Sequence, residues 1–140
     1  MQPLIFINLP VRDLAASIGF CEALGFRRNP QFSDETAACI VVSDVIHVML
    51  LTHAKFLQFS PRPITDAHAS AQALFCLSVE SRAAVDERVA QAVQAGGIPD
   101  PTPTQEFGFM YGRSYEDPDG HIWEVMWMDP AAVAGEPTST

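Results

Sequence analysis

The sequence predicts an α+β domain made of two consecutive β-α-β-β-β units. Three observations lead there. An apolar run, a helical pattern and three further strand candidates follow one another from Leu4 to Leu51, and the same order restarts at Ala73. The segment Leu9-Pro10-Val11-Arg12-Asp13-Leu14-Ala15-Ala16 also lies against Leu77-Ser78-Val79-Glu80-Ser81-Arg82-Ala83-Ala84. Leu, Val, Ala and Ala match, each time where a strand passes into a helix. Finally, Asp117-Pro118-Asp119-Gly120 has the composition of a tight turn, with a strand leaving it at His121.

In the first unit, Leu4 to Leu9 reads as a strand punctuated by Pro10. Asp13 caps the next helix, because its carboxylate can accept from the free N–H groups of the first turn. Leu14, Ile18 and Cys21 recur at helical spacing, with Phe20 and Leu24 beside them, and Gly25 ends the helix. Phe26 to Phe32 reads as a strand interrupted by Pro30, and Ala37 to Val42 and Val45 to Leu51 as two more around Ser43-Asp44. Thr52 to Ala71, with Pro61 and Pro63 and a short helix around Ala54 to Phe59, is a connector too long for a plain loop.

The second unit opens with a strand at Ala73 to Val79. Ser81 caps a helix to about Ala95, with Val85, Val89 and Val93 on one face and Gly96-Gly97 at its end. Pro99 to Pro103 reads as a loop, Gln105 to Met110 and Arg113 to Glu116 as strands, and His121 to Trp127 as the last. The expected boundaries are one domain over 1–129, with units at about 1–52 and 72–129, a connector at 53–71, and a flexible tail at 130–140.

The chain has 140 residues, 48% hydrophobic and 18% charged, which fits a folded domain with a sizeable core. Its net charge of −9 argues against nucleic acid or an anionic membrane as partner, since both call for basic patches. The apolar runs are too short to span a bilayer and residues 1–12 lack a signal-peptide pattern, so a cytoplasmic location is expected. Cys21, Cys39 and Cys76 are odd in number and scattered, without the spacing of a disulfide framework or a zinc cluster.

Alternation along the last strand sets Ile122, Glu124 and Met126 on one face and His121, Trp123, Val125 and Trp127 on the other. A carboxylate between two large apolar residues is costly unless it is paired, hydrogen-bonded or near a ligand or metal. Glu124 is therefore the leading functional candidate. It is expected to act as a general base or as an acceptor for a ligand, or else to pair with Arg113.

The run Leu9-Pro10-Val11-Arg12-Asp13-Leu14, followed by Ser17, Phe20 and Leu24-Gly25-Phe26, together with Asp117-Pro118-Asp119-Gly120 and Glu124, resembles the glyoxalase, bleomycin-resistance and extradiol-dioxygenase group, the vicinal-oxygen-chelate superfamily. The likeness covers roughly residues 3–128 and departs from the usual helix motif at Phe20-Cys21, where Phe-Tyr is common. The long connector and Phe107 to Ser114 look like a bacterial branch described as predicted lactoylglutathione lyases.

The resemblance implies two curved sheets pairing into a cup, a homodimer, and, in metal-dependent members, one ligand from the first and one from the last strand of each unit. Carried onto this chain, those positions fall on Phe6, on Leu50 or Met49, on Leu74 and on Glu124. Only Glu124 offers a donor that suits a hard divalent ion, so no metal cofactor is expected. His47 differs in strand parity from Leu50 and is set on the other face.

The expected cup lining is Phe6, Asn8, Leu50, Leu74 and Glu124, with Phe109, Tyr111 and Arg113. Arg113 could clamp an anion or pair with Glu116 or Glu106; Tyr111 and Tyr115 could bond a ligand or sit half-buried in the sheet. The expected function is binding of a small, largely apolar or aromatic organic molecule without the full metal site. The alternative is a lyase or isomerase using Glu124 as base, with metal-dependent lyase or dioxygenase chemistry ranked below both.

Overall fold

The computed structural model of the protein describes residues 1–134. Its elements run β1 (Ile5–Val11), α1 (Leu14–Ala23), β2 (Arg27–Asn29), β3 (Ala37–Val41), β4 (Ile46–Thr52), α2 (His53–Phe59), β5 (Phe75–Ser78), α3 (Arg82–Gln94), β6 (Ile98–Pro99), β7 (Gln105–Glu106), β8 (Met110–Glu116), β9 (Ile122–Met128) and α4 (Pro130–Ala134). The class is α+β, with two mixed sheets; the first half keeps the predicted β-α-β-β-β order, while the second has one strand more, because β6 forms at Ile98–Pro99, the expected Gln105–Met110 strand is cut to β7, and Met110 begins one strand with the expected Arg113–Glu116. Among the described residues no helix is long and apolar enough to cross a membrane.

The chain divides into two compact units. Unit 1 holds Met1–Ser70 together with Pro118–Gly120; unit 2 holds Ala71–Asp117 and the chain from His121 onward. The connector expected at 53–71 is thus largely part of unit 1, where Thr52 caps α2 by accepting from the Lys55 N–H.

In unit 1 the strand order is β1-β4-β3-β2, with β1 parallel to β4 and the other pairs antiparallel. Asp13 caps α1 as expected, accepting from the Ala16 N–H at 3.1 Å, and Gly25 takes φ 92° just past its end. The buried face of α1 carries Ser17 and Phe20, not the Leu14, Ile18, Cys21 stripe. Leu9, Val11, Val48, Leu50, Ala38 and Ile40 alternate onto one side of the sheet, and Leu24 joins that core. Full burial of each large aliphatic side chain stabilises by roughly 1.5–3 kcal/mol. The expected strand from Phe26 to Phe32 breaks at Pro30 into β2 and a 3₁₀ turn, since proline lacks the ladder N–H.

Unit 2 repeats the plan as β5-β9-β8-β6, with β5 parallel to β9; β7 also pairs with β8. Ser81 caps α3, accepting from the Ala84 N–H at 3.0 Å. Val85, Val89 and Ala92 are buried, at the i, i+4, i+7 spacing of one helix face, while Val93 is exposed. With Tyr115, Trp123 and Val125 they form the core of the unit. Residues 130–134, expected to begin a flexible tail, form α4; the rest of that expected tail lies outside the described residues.

The Asp117-to-Gly120 turn is tied down from both sides. In unit 2 the Asp117 carboxylate accepts from the His121 N–H at 2.9 Å and from the Trp123 indole N–H at 3.0 Å, fixing the start of β9. In unit 1 Asp119 accepts from the Arg12 N–H at 2.8 Å and from the Ser17 hydroxyl at 3.1 Å. Gly120 has φ 90°, and a Cβ there would stand 2.6 Å from the backbone nitrogen of His68. Only glycine fits that approach.

Candidate functional site

Strand register decides which side chains share a face. In unit 2, Glu124 stands opposite Cys76 of β5 on one side and Ser114 of β8 on the other, so the three side chains project together. Met126 follows two residues along β9, opposite Gly112 and Ser78, and Met110 precedes Gly112 on β8. This face carries a small solvent-open hollow of about 40 Å³ lined by Cys76, Thr102, Pro103, Gln105, Met110, Gly112, Glu124 and Met126, with Arg113 and Val125 at its wall.

The polar groups around Glu124 are already committed. Ser114 is fully buried, and its hydroxyl accepts from both the Thr102 N–H at 3.1 Å and the Thr102 hydroxyl at 2.7 Å. Glu124 itself forms no hydrogen bond or ion pair among the described residues, so its half-buried carboxylate is available to an incoming donor. Burial pushes the Cys76 thiol up from its ordinary value, and the facing Glu124 carboxylate adds to the shift.

Arg113 and Tyr111 do not join Glu124. Their register partners are Val125 and Trp127, on the α3 face of the sheet. The Arg113 guanidinium is held by Asp100, at 3.0 and 2.8 Å, and by Asp86, at 3.0 Å; Tyr111 donates its hydroxyl to Asp86 at 2.6 Å. The pairing partners expected for Arg113, whether Glu116, Glu106 or Glu124, are replaced by these two aspartates. The bonds to Asp100 and then Asp86 raise Arg113 well above its ordinary value. In return, Tyr111 and Arg113 lower Asp86, and Arg113 lowers Asp100. Arg82 binds Glu106 through both guanidinium nitrogens, donates to the Gly108 carbonyl, and lies over the rings of Tyr111 and Trp127. Phe109 is exposed beside Phe107, outside the hollow, and Leu74 is exposed just ahead of β5.

In unit 1, Phe6 and Asn8 do share a face of β1, but Leu50 is not on it. Leu50 pairs with Leu9 and is buried in the α1-side core, whereas Met49 pairs with Asn8 and His47 with Phe6. On β4 the face shared with Phe6 and Asn8 is carried by Met49, the other expected position, and Leu50, one residue on, is turned to the opposite side. His47 consequently lies with Phe6, their rings stacked 4.6 Å apart, and its Nδ1 is buried without a hydrogen-bond partner. Asn8 donates to the Phe6 carbonyl and borders a second open hollow, of about 420 Å³, with Leu51, Phe56, Phe59 and Ser60 under α2.

The positions that resemble family metal ligands therefore offer a phenyl ring, a thioether or buried isobutyl group, an isobutyl group and one carboxylate. That set does not fit a hard divalent ion, which wants oxygen or imidazole. Among the described residues no three His, Cys, Asp or Glu side chains come together. Sequence reasoning set Met126 on the face of Glu124 by parity but did not bring Cys76, Thr102, Met110 or Ser114 to it, because their places depend on how the strands pair.

No curated protein matches this chain. Among solved structures, a hypothetical protein from S. aureus is 27% identical, with 91% of this chain and 95% of that one covered at a TM-score of 0.75. A glyoxalase/bleomycin resistance protein/dioxygenase family enzyme from Burkholderia phytofirmans PsJN is 19% identical, covering 91% and 99% at 0.74. A fosfomycin resistance protein from Mesorhizobium loti is 13% identical, covering 96% and 98% at 0.68. The last two likenesses concern the fold alone. The family model of the Glyoxalase/Bleomycin resistance protein/Dioxygenase superfamily matches residues 4–125. With the two mixed α+β sheets and the Asp117-to-Glu124 segment, that match settles the family: the chain belongs to the glyoxalase/bleomycin resistance protein/dioxygenase superfamily.

Proposed function

We propose that the protein binds a small organic molecule with an apolar or aromatic body and at least one N–H or O–H donor, using Glu124 as the anchor and no hard metal ion. The observation that carries this reading is the carboxylate itself. Glu124 faces a hollow walled by Met110, Met126 and Pro103 and has no partner of its own among the described residues. A half-buried acceptor without a donor gains more from a ligand than one already satisfied.

The test is a thermal-shift screen of aromatic amines, phenols and amides against the parent protein and Glu124→Gln. A ligand raises the melting temperature by mass action. Its affinity is expected to fall about tenfold in the variant, the loss of roughly one charge-assisted hydrogen bond. Equal affinity in both proteins removes Glu124 as the anchor. Turnover of a hit that vanishes in Glu124→Gln would instead support the lyase or isomerase reading, in which the same carboxylate takes a proton.

A further inference from the structure

Gly112 stands inside β8 for no reason that the backbone supplies. Its conformation is not left-handed, unlike that of Gly25, Gly96, Gly108 and Gly120. A Cβ built on it would meet the Val125 carbonyl oxygen at 3.7 Å and the Gln105 Cβ at 3.9 Å, ordinary van der Waals contacts. Alanine would therefore fit, and a glycine inside a strand weakens that strand. What the glycine preserves is space. Gly112 and Ser114 share a face of β8; Ser114 pairs with Glu124 and Gly112 with Met126, so the missing side chain is diagonal to Glu124. The hollow beside that carboxylate measures about 40 Å³. A water needs roughly 10–15 Å³ on such a measure, so the space admits a small polar head group and not an aromatic ring.

The charges around the hollow select that head group. Glu124 is half-buried and forms no hydrogen bond or ion pair among the described residues. The cation at the wall, Arg113, is turned to Asp86 and Asp100 and is neutralised there. A neutral donor would give Glu124 a hydrogen bond and leave its charge without a counter-charge; an ammonium group supplies both. We propose that the group bound at Glu124 is a primary ammonium on an unbranched methylene, and that Gly112 sets its size. The ligand is an alkyl or arylalkyl primary amine whose body stays at the mouth of the hollow, against the thioethers of Met110 and Met126. Thioethers adapt to varied shapes and make favourable contacts with aromatic rings. The inference rests on the Glu124 anchor proposed above and narrows its ligand to a cation.

The test is isothermal titration calorimetry near neutral pH with benzylamine, N,N-dimethylbenzylamine and benzyl alcohol against the parent, Gly112→Ala and Glu124→Gln. Circular dichroism checks that each variant is folded. The parent is expected to bind benzylamine about tenfold more tightly than either other probe, the scale of one hydrogen bond to a charged group. Gly112→Ala should melt no lower than the parent without ligand and should lose about tenfold or more in benzylamine affinity, because the added methyl takes the place of the ammonium. That variant keeps every charge, so its loss separates a fitted site from attraction to an acidic surface. Equal affinity of the parent for benzylamine and either other probe overturns the inference, as does undiminished benzylamine affinity in folded Gly112→Ala. So does failure of the parent to bind benzylamine; if a phenol or amide is still held through Glu124, the anchor stands and the cation alone is wrong. Unchanged benzylamine affinity in Glu124→Gln overturns both.

Discussion

The hydroxyl of Ser17, buried on α1, donates to the carboxylate of Asp119 across 102 positions of sequence. The same carboxylate takes the Arg12 N–H where β1 runs into α1. Asp119→Ala leaves a buried hydroxyl and a backbone donor short of their acceptor. It is expected to cost about 1–3 kcal/mol, read as a lower urea midpoint at unchanged slope. Ser17→Ala should cost less, because the alanine asks for no partner, and the double variant should be less than additive.

Gly25 and Gly120 have nearly the same φ, 92° and 90°, in different surroundings. A Cβ at Gly25 meets nothing within 4 Å, whereas one at Gly120 strikes the backbone of Ala67 and His68. Gly25→Ala is expected to cost about 1–2 kcal/mol, the left-handed penalty alone. Gly120→Ala should cost more than that, because the obstacle is main chain and cannot swing aside. Thermal melts of the two variants side by side check the order.

The one-residue phase of β4 can be read from stability. Leu50→Ala opens the α1-side core and should cost about 2–5 kcal/mol. Leu74→Ala, at an exposed position ahead of β5, should stay within about 0.5 kcal/mol of the parent. Similar losses for both would put Leu74 in a core as well.

Arg113 lowers Asp100 directly and Asp86 after Tyr111, each from an ordinary value of 3.8. A carboxylate lowered in the folded state contributes stability that is fully present above that ordinary value and is lost as pH falls through the folded one. Arg113→Leu is therefore expected to lower stability at pH 7, by about 1 kcal/mol for a pair so open to solvent, and to flatten the decline below about pH 4. Urea midpoints between pH 2 and pH 7, taken near those limits, report both effects.

Much of the fold was legible because it is written locally. Asp13 and Ser81 are short acceptors at strand-to-helix junctions, Gly25 is a stop, and Asp117 to Gly120 is a turn; each follows from neighbouring residues. The face of Glu124 was legible for the same reason, since alternation from a fixed turn needs no partner strand. What failed was whatever depends on pairing. The assignment of Leu50 needed the β1–β4 register, and that of Arg113 needed the Ser114–Glu124 pair, which sends Arg113 to the opposite side. Cys76 was read only as one of three scattered thiols, because its place beside Glu124 comes from the pairing of β5 with β9.

Three residues from late in the chain, Pro118–Gly120, are counted with the first unit. During synthesis α1 leaves the ribosome long before its acceptor, Asp119, has been made. The first unit thus stays unfinished until residues 118–120, encoded after most of the second unit, have been made. Its likeness to the second unit does not make it separable: an ancestral half-length chain would have had to borrow that triplet from a second copy.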